Sequence, residues 1–221
     1  VPELTLANYE FKNSTYGLSP WVNSFILAAG VAVIGTLIAF IGAVIEKRLS
    51  CISSVFCSLY EAMTRFSLCI PGTVLGLAFA LSFSGLSFIE SAVGAMGLLI
   101  FNTVIHLFTV SHLTAVNTLD GIDPRYETVG LSLGVPRYET LCRVVLPLSK
   151  TGFREVFCYL FASALTTISA VVFLYTPQTM PAAVAAIQMI DSGFISEGAA
   201  MSTLIFCSAL AVRFIMLKLI R

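Results

Sequence analysis

Residues 124–140 read PRYETVGLSLGVPRYET, and they hold the one stretch whose residue types spell a familiar catalytic device. Gly130-Leu131-Ser132-Leu133-Gly134 has the G-x-S-x-G spacing of a nucleophile elbow, in which a strained strand-to-helix turn exposes a serine hydroxyl. Partner types for acyl transfer are nominally present in His106, His112 and Asp120. An elbow needs a strand before the serine. Here Asp123-Pro124 precedes it, and that pair is a helix start: Asp caps free amides, and Pro suits the first helical position. Ser132 therefore falls inside a helix, and the catalytic reading weakens. Metal or disulfide chemistry is weak as well. Six cysteines (51, 57, 69, 142, 158 and 207) are scattered through apolar segments with no C-x-x-C pair, so the spacing predicts small buried hydrophobes and no metal site.

The elements around this stretch are strongly apolar. Of 221 residues, 57% are hydrophobic and 11% charged, and the mean hydropathy is +0.94. Soluble domains carry about a quarter charged residues. Several nearly charge-free stretches reach about 20 residues, the length a helix needs to cross ~30 Å of hydrocarbon. The chain therefore reads as an all-α integral membrane protein, and its zero net charge suggests no nucleic-acid partner. Five spans are expected, at about 21–45, 68–88, 92–113, 154–175 and 197–217. Residues 50–66 read as an amphipathic interfacial helix, and 181–192 as a short helix in an outer loop. Pro71 can open or kink the second span. Ala28, Ala32, Gly35, Ala39 and Gly42, with the Gly72/Gly76 pair, predict close packing.

Lysine and arginine set the orientation. With the N-terminus outside, eleven of the twelve fall at inner positions, leaving only Lys12 outside. Residues 1–20 are then a periplasmic segment, 114–153 a cytoplasmic loop, and the C-terminus cytoplasmic. Tyr16 and Trp21 suit an outer aromatic belt. The chain begins with Val1 and shows no charged-then-apolar leader, so a piece of a longer polypeptide or a processed start is expected.

Within the loop, the pentapeptide Pro-Arg-Tyr-Glu-Thr at 124–128 and 136–140 marks two helix beginnings. Gly134 sits where a helix end needs a left-handed residue, and Pro147 limits the second helix. Counting from Gly134, Val144 is ten residues on, Leu146 twelve and Pro147 thirteen. This resembles the motif E-A-A-x3-G-x9-I-x-L-P of inner-membrane permease subunits of binding-protein-dependent ABC importers. The stretches NSFILAAGVAVIGTLIAFIGAVIEKR and IPGTVLGLAFALSF resemble that family's first two core helices, so the similarity covers most of the chain. The pattern departs at the E-A-A positions, which hold Thr128, Val129 and Gly130, with Glu127 one place early.

The resemblance implies a transmembrane domain over 21–221 with five core helices and a cytoplasmic helix–turn–helix coupling loop. It implies that Glu127, Thr128, Gly134, Val135, Pro136, Arg137, Glu139, Val144, Leu146 and Pro147 meet a cytoplasmic ATPase. Arg125, Arg137 and Arg143 would face acidic groups there. It further implies a second permease half or copy, two ATPase subunits that hold the ATP and magnesium, a periplasmic substrate-binding protein, and a bacterial inner membrane. The chain itself needs no cofactor and is a transporter subunit rather than an enzyme. Candidate translocation-path residues are Asn102 and His106, four apart on one helical face, with Ser163, Thr166 and Thr167. The stretch 166–193 most resembles permeases for 2-aminoethylphosphonate or ferric iron, which are often two such halves fused in one chain. A channel or secondary transporter would place ionisable groups deep in the spans, where there is almost none beyond His106.

Overall fold

A computed structural model of the chain describes residues 7–11, 17–48, 54–83, 85 and 91–219. Among these residues there is no β-strand. A 3-10 turn (Ala7–Glu10) precedes α1 (Ser19–Arg48), α2 (Ser54–Cys69), α3 (Gly72–Phe83) and α4 (Ala92–Asp120). The polar loop holds α5 (Arg125–Ser132), α6 (Arg137–Thr140), a π turn (Leu141–Val145) and α7 (Leu146–Leu148). Then come α8 (Lys150–Thr166), α9 (Ala182–Asp191) and α10 (Ile195–Leu219). By length and composition α1, α4 and α10 are each able to cross a membrane.

Helix α1 is the centre of the bundle and packs on α4 and α8. Its small-residue stripe makes this possible: Ala28, Ala32 and Ala39 are fully buried. A Cβ at Gly35 would lie 2.8 Å from Leu160 of α8, and one at Gly42 would lie 3.2 Å from the His112 ring of α4. Phe40 and Phe153 stack between α1 and α8 with ring centroids 3.6 Å apart. Outside this core the apolar surface is bare, with Ile41, Phe206 and Phe214 each more than half exposed. Large apolar side chains exposed in this number mark surfaces made for lipid or a protein partner.

Three of the expected spans are corrected. The second is not one helix. The chain breaks at Ile70-Pro71, and α2 and α3 meet at 99°. Proline supplies no amide and clashes with the preceding turn. The interfacial helix therefore runs on to Cys69, while α3, with 12 residues, extends only about 18 Å. The third span overshoots: α4 continues to Asp120 because Ala115, Val116 and Leu119 are buried. Thr114 and Thr118 return their hydroxyls to Val110 and Thr114 carbonyls. The fourth span undershoots, since α8 ends at Thr166 and residues 167–181 are turns and extended backbone. Thr166, Thr167 and Ile168 are consecutive β-branched residues, which weaken a helix.

Smaller corrections follow the same logic. The loop between spans is 121–149 rather than 114–153. Pro147 does not stop the second loop helix. Its missing amide is absorbed by the π turn just before it, and helical backbone runs from Arg137 to Leu148. Helix α9 is no surface loop: Ala182 to Ala186 and Met189 are buried, and the Ala182 amide donates to Ser24 Oγ at 2.7 Å. Cys69, Cys142 and Cys207 are free and exposed instead of buried, on faces this single chain leaves bare. Cys51, Tyr16, Lys12 and much of the 1–20 segment lie outside the described residues, as does the Cys57 side chain.

Candidate coupling surface and polar span residues

The loop folds as a helical hairpin. Asp123 Oδ1 accepts the Arg125 amide at 2.8 Å, capping α5. Pro124 and Pro136 each sit immediately before the first helical residue, one place earlier than expected. Gly134 has φ +75°, the left-handed turn its position predicts. Val135 N then donates back to Gly130 O at 2.9 Å. Gly130 is the close-approach position, since a Cβ there would meet Thr140 Oγ1 at 2.5 Å. Between α5 and α6 lies a groove of about 660 Å³, with Tyr126, Val129, Leu133 and Val135 on its apolar side and Arg125, Glu139 and Arg143 on its charged side. Leu133 is 76% exposed and Tyr138 71%, an unusual outlay of large apolar groups on the chain's most polar segment. Glu139 and Arg143 pair at 2.9 Å on one helical face. Thr128 is exposed, and Val144 and Leu146 are half-buried.

Glu127 points the other way. Its Oε1 lies 3.1 Å from Arg48 Nη1 as a close ion pair without hydrogen-bond alignment, and the two side chains are 19% and 8% exposed. Arg48 Nη2 also donates to Leu119 O at 2.7 Å, which the Ile122 amide shares, and to Ile122 O at 3.1 Å, just past the end of α4. The neighbours of Arg48 extend the join. Lys47 Nζ is 3.2 Å from Asp120 Oδ2, and Glu46 Oε2 is 2.8 Å from His112 Nε2, with both of the latter side chains buried. Three consecutive residues at the C-terminal end of α1 thus hold α4 and the first loop helix. Charge counting used Lys47 and Arg48 only as orientation signals. The uninterrupted Glu-Lys-Arg at a helix end was the available sign of a further role.

The polar span residues separate into two places. Asn102 is fully buried, and its Nδ2 donates to Ala170 O at 2.7 Å, in the non-helical stretch after α8. A Cβ at Gly76 would lie 2.6 Å from that same carbonyl. A Cβ at Gly72 would lie 2.6 Å from Ser169 Oγ and 2.9 Å from the His106 ring, whose Nδ1 is buried without a hydrogen-bond partner. The Gly72/Gly76 pair therefore admits irregular backbone rather than another helix. Ser163 and Thr166 instead line a groove shared with α9 and α10. Thr166 Oγ1 donates to Ala162 O at 3.1 Å, and the Thr167 amide donates to Ser163 O.

The nominal triad is not assembled. Ser132 Oγ donates to Thr128 O at 2.9 Å within α5, His112 is held by Glu46, and Asp120 pairs with Lys47. Ser132→Ala should shift stability by no more than about 0.5 kcal/mol and leave ATP-driven uptake unchanged in membrane vesicles. Complete loss of uptake would restore the catalytic serine. Among the described residues no group of three or more His, Cys, Asp or Glu side chains is placed to hold a metal ion.

No protein-family model matches the chain. It is 29% identical over 184 residues, 80% of its length, to the provisionally named ferric transport system permease protein FbpB 1 of Haemophilus influenzae, covering 28% of that protein. It is 31% identical over 94 residues to the provisionally named ferric transport system permease-like protein AfuB of Escherichia coli (strain K12). That match covers 42% of this chain and 78% of the relative. The chain spans under a third of the length of the longer curated relatives it matches. Its fold matches the crystal structure of a bacterial ABC transporter involved in the import of the acidic polysaccharide alginate. The TM-score is 0.83 at 12% identity, covering 100% of this chain and 84% of that one.

Proposed function

The chain belongs to the permease family of ABC importers that includes the ferric transport system permeases, and from that premise we propose that it forms one half of a membrane pathway driven by cytoplasmic ATPases. The observation that carries this is the helical hairpin at 125–148, which exposes apolar groups beside a charged rim and is clamped to the bundle by Arg48. A partner groove that accepts Leu133 and Tyr138 would remove from water the apolar groups that the hairpin leaves exposed. The charged rim of Arg125, Glu139 and Arg143 would set register. Thr128, Gly134, Val135, Pro136, Arg137, Val144, Leu146 and Pro147 complete the contact surface or shape its turn.

The work is mechanical. ATP binding and hydrolysis take place in two ATPase subunits, and their closure drags the hairpin. The pathway alternates because each nucleotide state binds one hairpin position better than the other. A second permease half or copy completes the pathway, and a periplasmic binding protein delivers the substrate. The orientation is N-terminus periplasmic and C-terminus cytoplasmic in a bacterial inner membrane, as the lysines and arginines direct. Ferric iron is the substrate class, supported by the ferric systems named among the relatives. In this reading the path passes His106 and Ser169, which meet at the Gly72 crossing.

The test is co-purification with the cognate ATPase, followed by ATP-driven uptake of radioactive ferric iron in vesicles. Leu133→Asp combined with Tyr138→Asp should weaken ATPase capture by roughly thirtyfold, the scale of losing two buried anchors, and should abolish uptake. Full capture and full uptake in this variant would sink the proposal. Failure to take up iron while ATPase capture is intact would overturn the iron assignment alone.

A further inference from the structure

We propose that the seam between α8 and α10 is a binding site for one anionic phospholipid of the inner leaflet. The proposal goes beyond the transport reading and shares with it only the membrane orientation. Arg154 lies one turn into α8, and Arg213 lies near the inner end of α10. Both line one pocket of about 340 Å³. Neither guanidinium forms an ion pair or hydrogen bond with any described residue. Glu155 borders the same pocket and forms no ion pair with either arginine. Lys150 and Lys218 stand about a turn away along the same two helices and add positive charge at that level.

Two unpaired guanidinium groups held together at a membrane interface call for a phosphate. The fork geometry of arginine matches phosphate oxygens, and basic pockets between helices on the cytoplasmic side select acidic headgroups. A soluble anion would need nothing more, but the pocket does not end there. Ala162 and Ser163 line it and also line the next groove along the seam, of about 510 Å³. That groove is walled by Ala186, Ile187, Ile205 and Phe206 and is mainly apolar, with Ser163, Thr166 and Ser202 also on its lining, the last returning its hydroxyl to Gly198 O. From Arg154 to Thr166 the helix rises about 18 Å, slightly more than the ~15 Å half-thickness of the hydrocarbon core. A charged head site therefore opens onto a slot with the length and lining of an acyl chain. Thr166 does not interrupt the slot, because its hydroxyl is turned back to the Ala162 carbonyl.

Native mass spectrometry of the intact complex, after reconstitution into phosphatidylethanolamine bilayers containing phosphatidylglycerol, tests this directly. The wild type should retain phosphatidylglycerol through detergent washing, and millimolar inorganic phosphate should not displace it. Arg154→Gln with Arg213→Gln should lower retention by roughly thirtyfold, given the usual contribution of each arginine to an acidic membrane surface. Arg154→Lys with Arg213→Lys, which keeps the charge, should retain most of it. Ala162→Trp, which fills the slot and leaves both arginines, should also lose the lipid. Unchanged retention in the glutamine pair overturns the site, and so does equal loss in the lysine pair. Displacement by phosphate overturns the lipid in favour of a soluble anion. Retention in the tryptophan variant removes the acyl slot. Uptake is not the readout, so none of these results bears on the transport proposal.

Discussion

Arg48→Ala is expected to destabilise the protein by about 3 kcal/mol, because it breaks a largely buried ion pair and removes a carbonyl donor at once. The figure has three parts. Ile122 O loses its donor, at about 1 kcal/mol or more where water enters poorly, while Leu119 O keeps the Ile122 amide and loses a second donor at less. The Glu127 carboxylate, 19% exposed, is left beside apolar surface without its cation. Partial rehydration of Glu127 keeps the total at the lower end of the range for a broken buried pair. Glu127→Ala should cost only about 1 kcal/mol, because Arg48 keeps both carbonyls. Arg48→Lys should fall between, since an ammonium cannot span two carbonyls and a carboxylate as the fork does. Thermal unfolding in detergent, run as a double-mutant cycle, reads all of this. Arg48→Ala should also uncouple ATP hydrolysis from uptake, because the hairpin could then move without dragging α1. A variant that unfolds within about 0.5 kcal/mol of the wild type would show that the clamp carries no load.

Asn102→Leu is the second large effect, at about 2 kcal/mol. Water cannot satisfy backbone at membrane depth, so non-helical chain survives there only where protein groups replace it. The amide of Asn102 does this for Ala170 O, donating from Nδ2 at 2.7 Å. Loss of the donor leaves a buried carbonyl unpaired, at about 1–3 kcal/mol. Part of that is returned because Asn102 Oδ1, itself unpaired, also disappears. Asn102→Asp should be worse, since it sets a carboxylate oxygen against the carbonyl. Gly76→Ala attacks the same carbonyl from α3, where a Cβ would approach to 2.6 Å, and should cost about 1–3 kcal/mol by overpacking. The two substitutions share one target. The double variant should therefore cost less than the sum, since a 168–171 segment released by Asn102→Leu can yield to the new methyl group. Strict additivity in thermal unfolding would break this account.

The same carbonyl explains what was legible in the sequence. Helices α1, α9 and α10 were readable to within a few residues, because their limits coincide with changes in hydropathy. The end of α8 was not. Residues 167–175 are as apolar as the helix before them, and the donor that lets the backbone leave the helix is 68 positions away at Asn102. The α2–α3 break was half-readable: Pro71 announced a kink, but its 99° angle depends on Gly72 and Gly76 admitting His106, Ser169 and Ala170. Within the loop, Gly134 was fully readable, since a positive φ is a local property of one residue. The inward turn of Glu127 was not, because its partner lies 79 positions earlier in the chain.

Helix α1 must enter the membrane before the residues its inner end will hold have been made. Leu119 is the 71st residue after Arg48, a delay of roughly 4–14 s at bacterial to eukaryotic rates of synthesis. During that interval Glu46, Lys47 and Arg48 remain hydrated beside the membrane, and in the proposed orientation Lys47 and Arg48 act as the topological signal for the first insertion. Once α4 arrives, the same two residues change employment and become its terminal clasp. A substitution at Arg48 is therefore exposed to two separate failures in time, misorientation of the nascent chain and loosening of the finished bundle. Arg48→Lys would divide them, preserving the insertion while weakening the clasp.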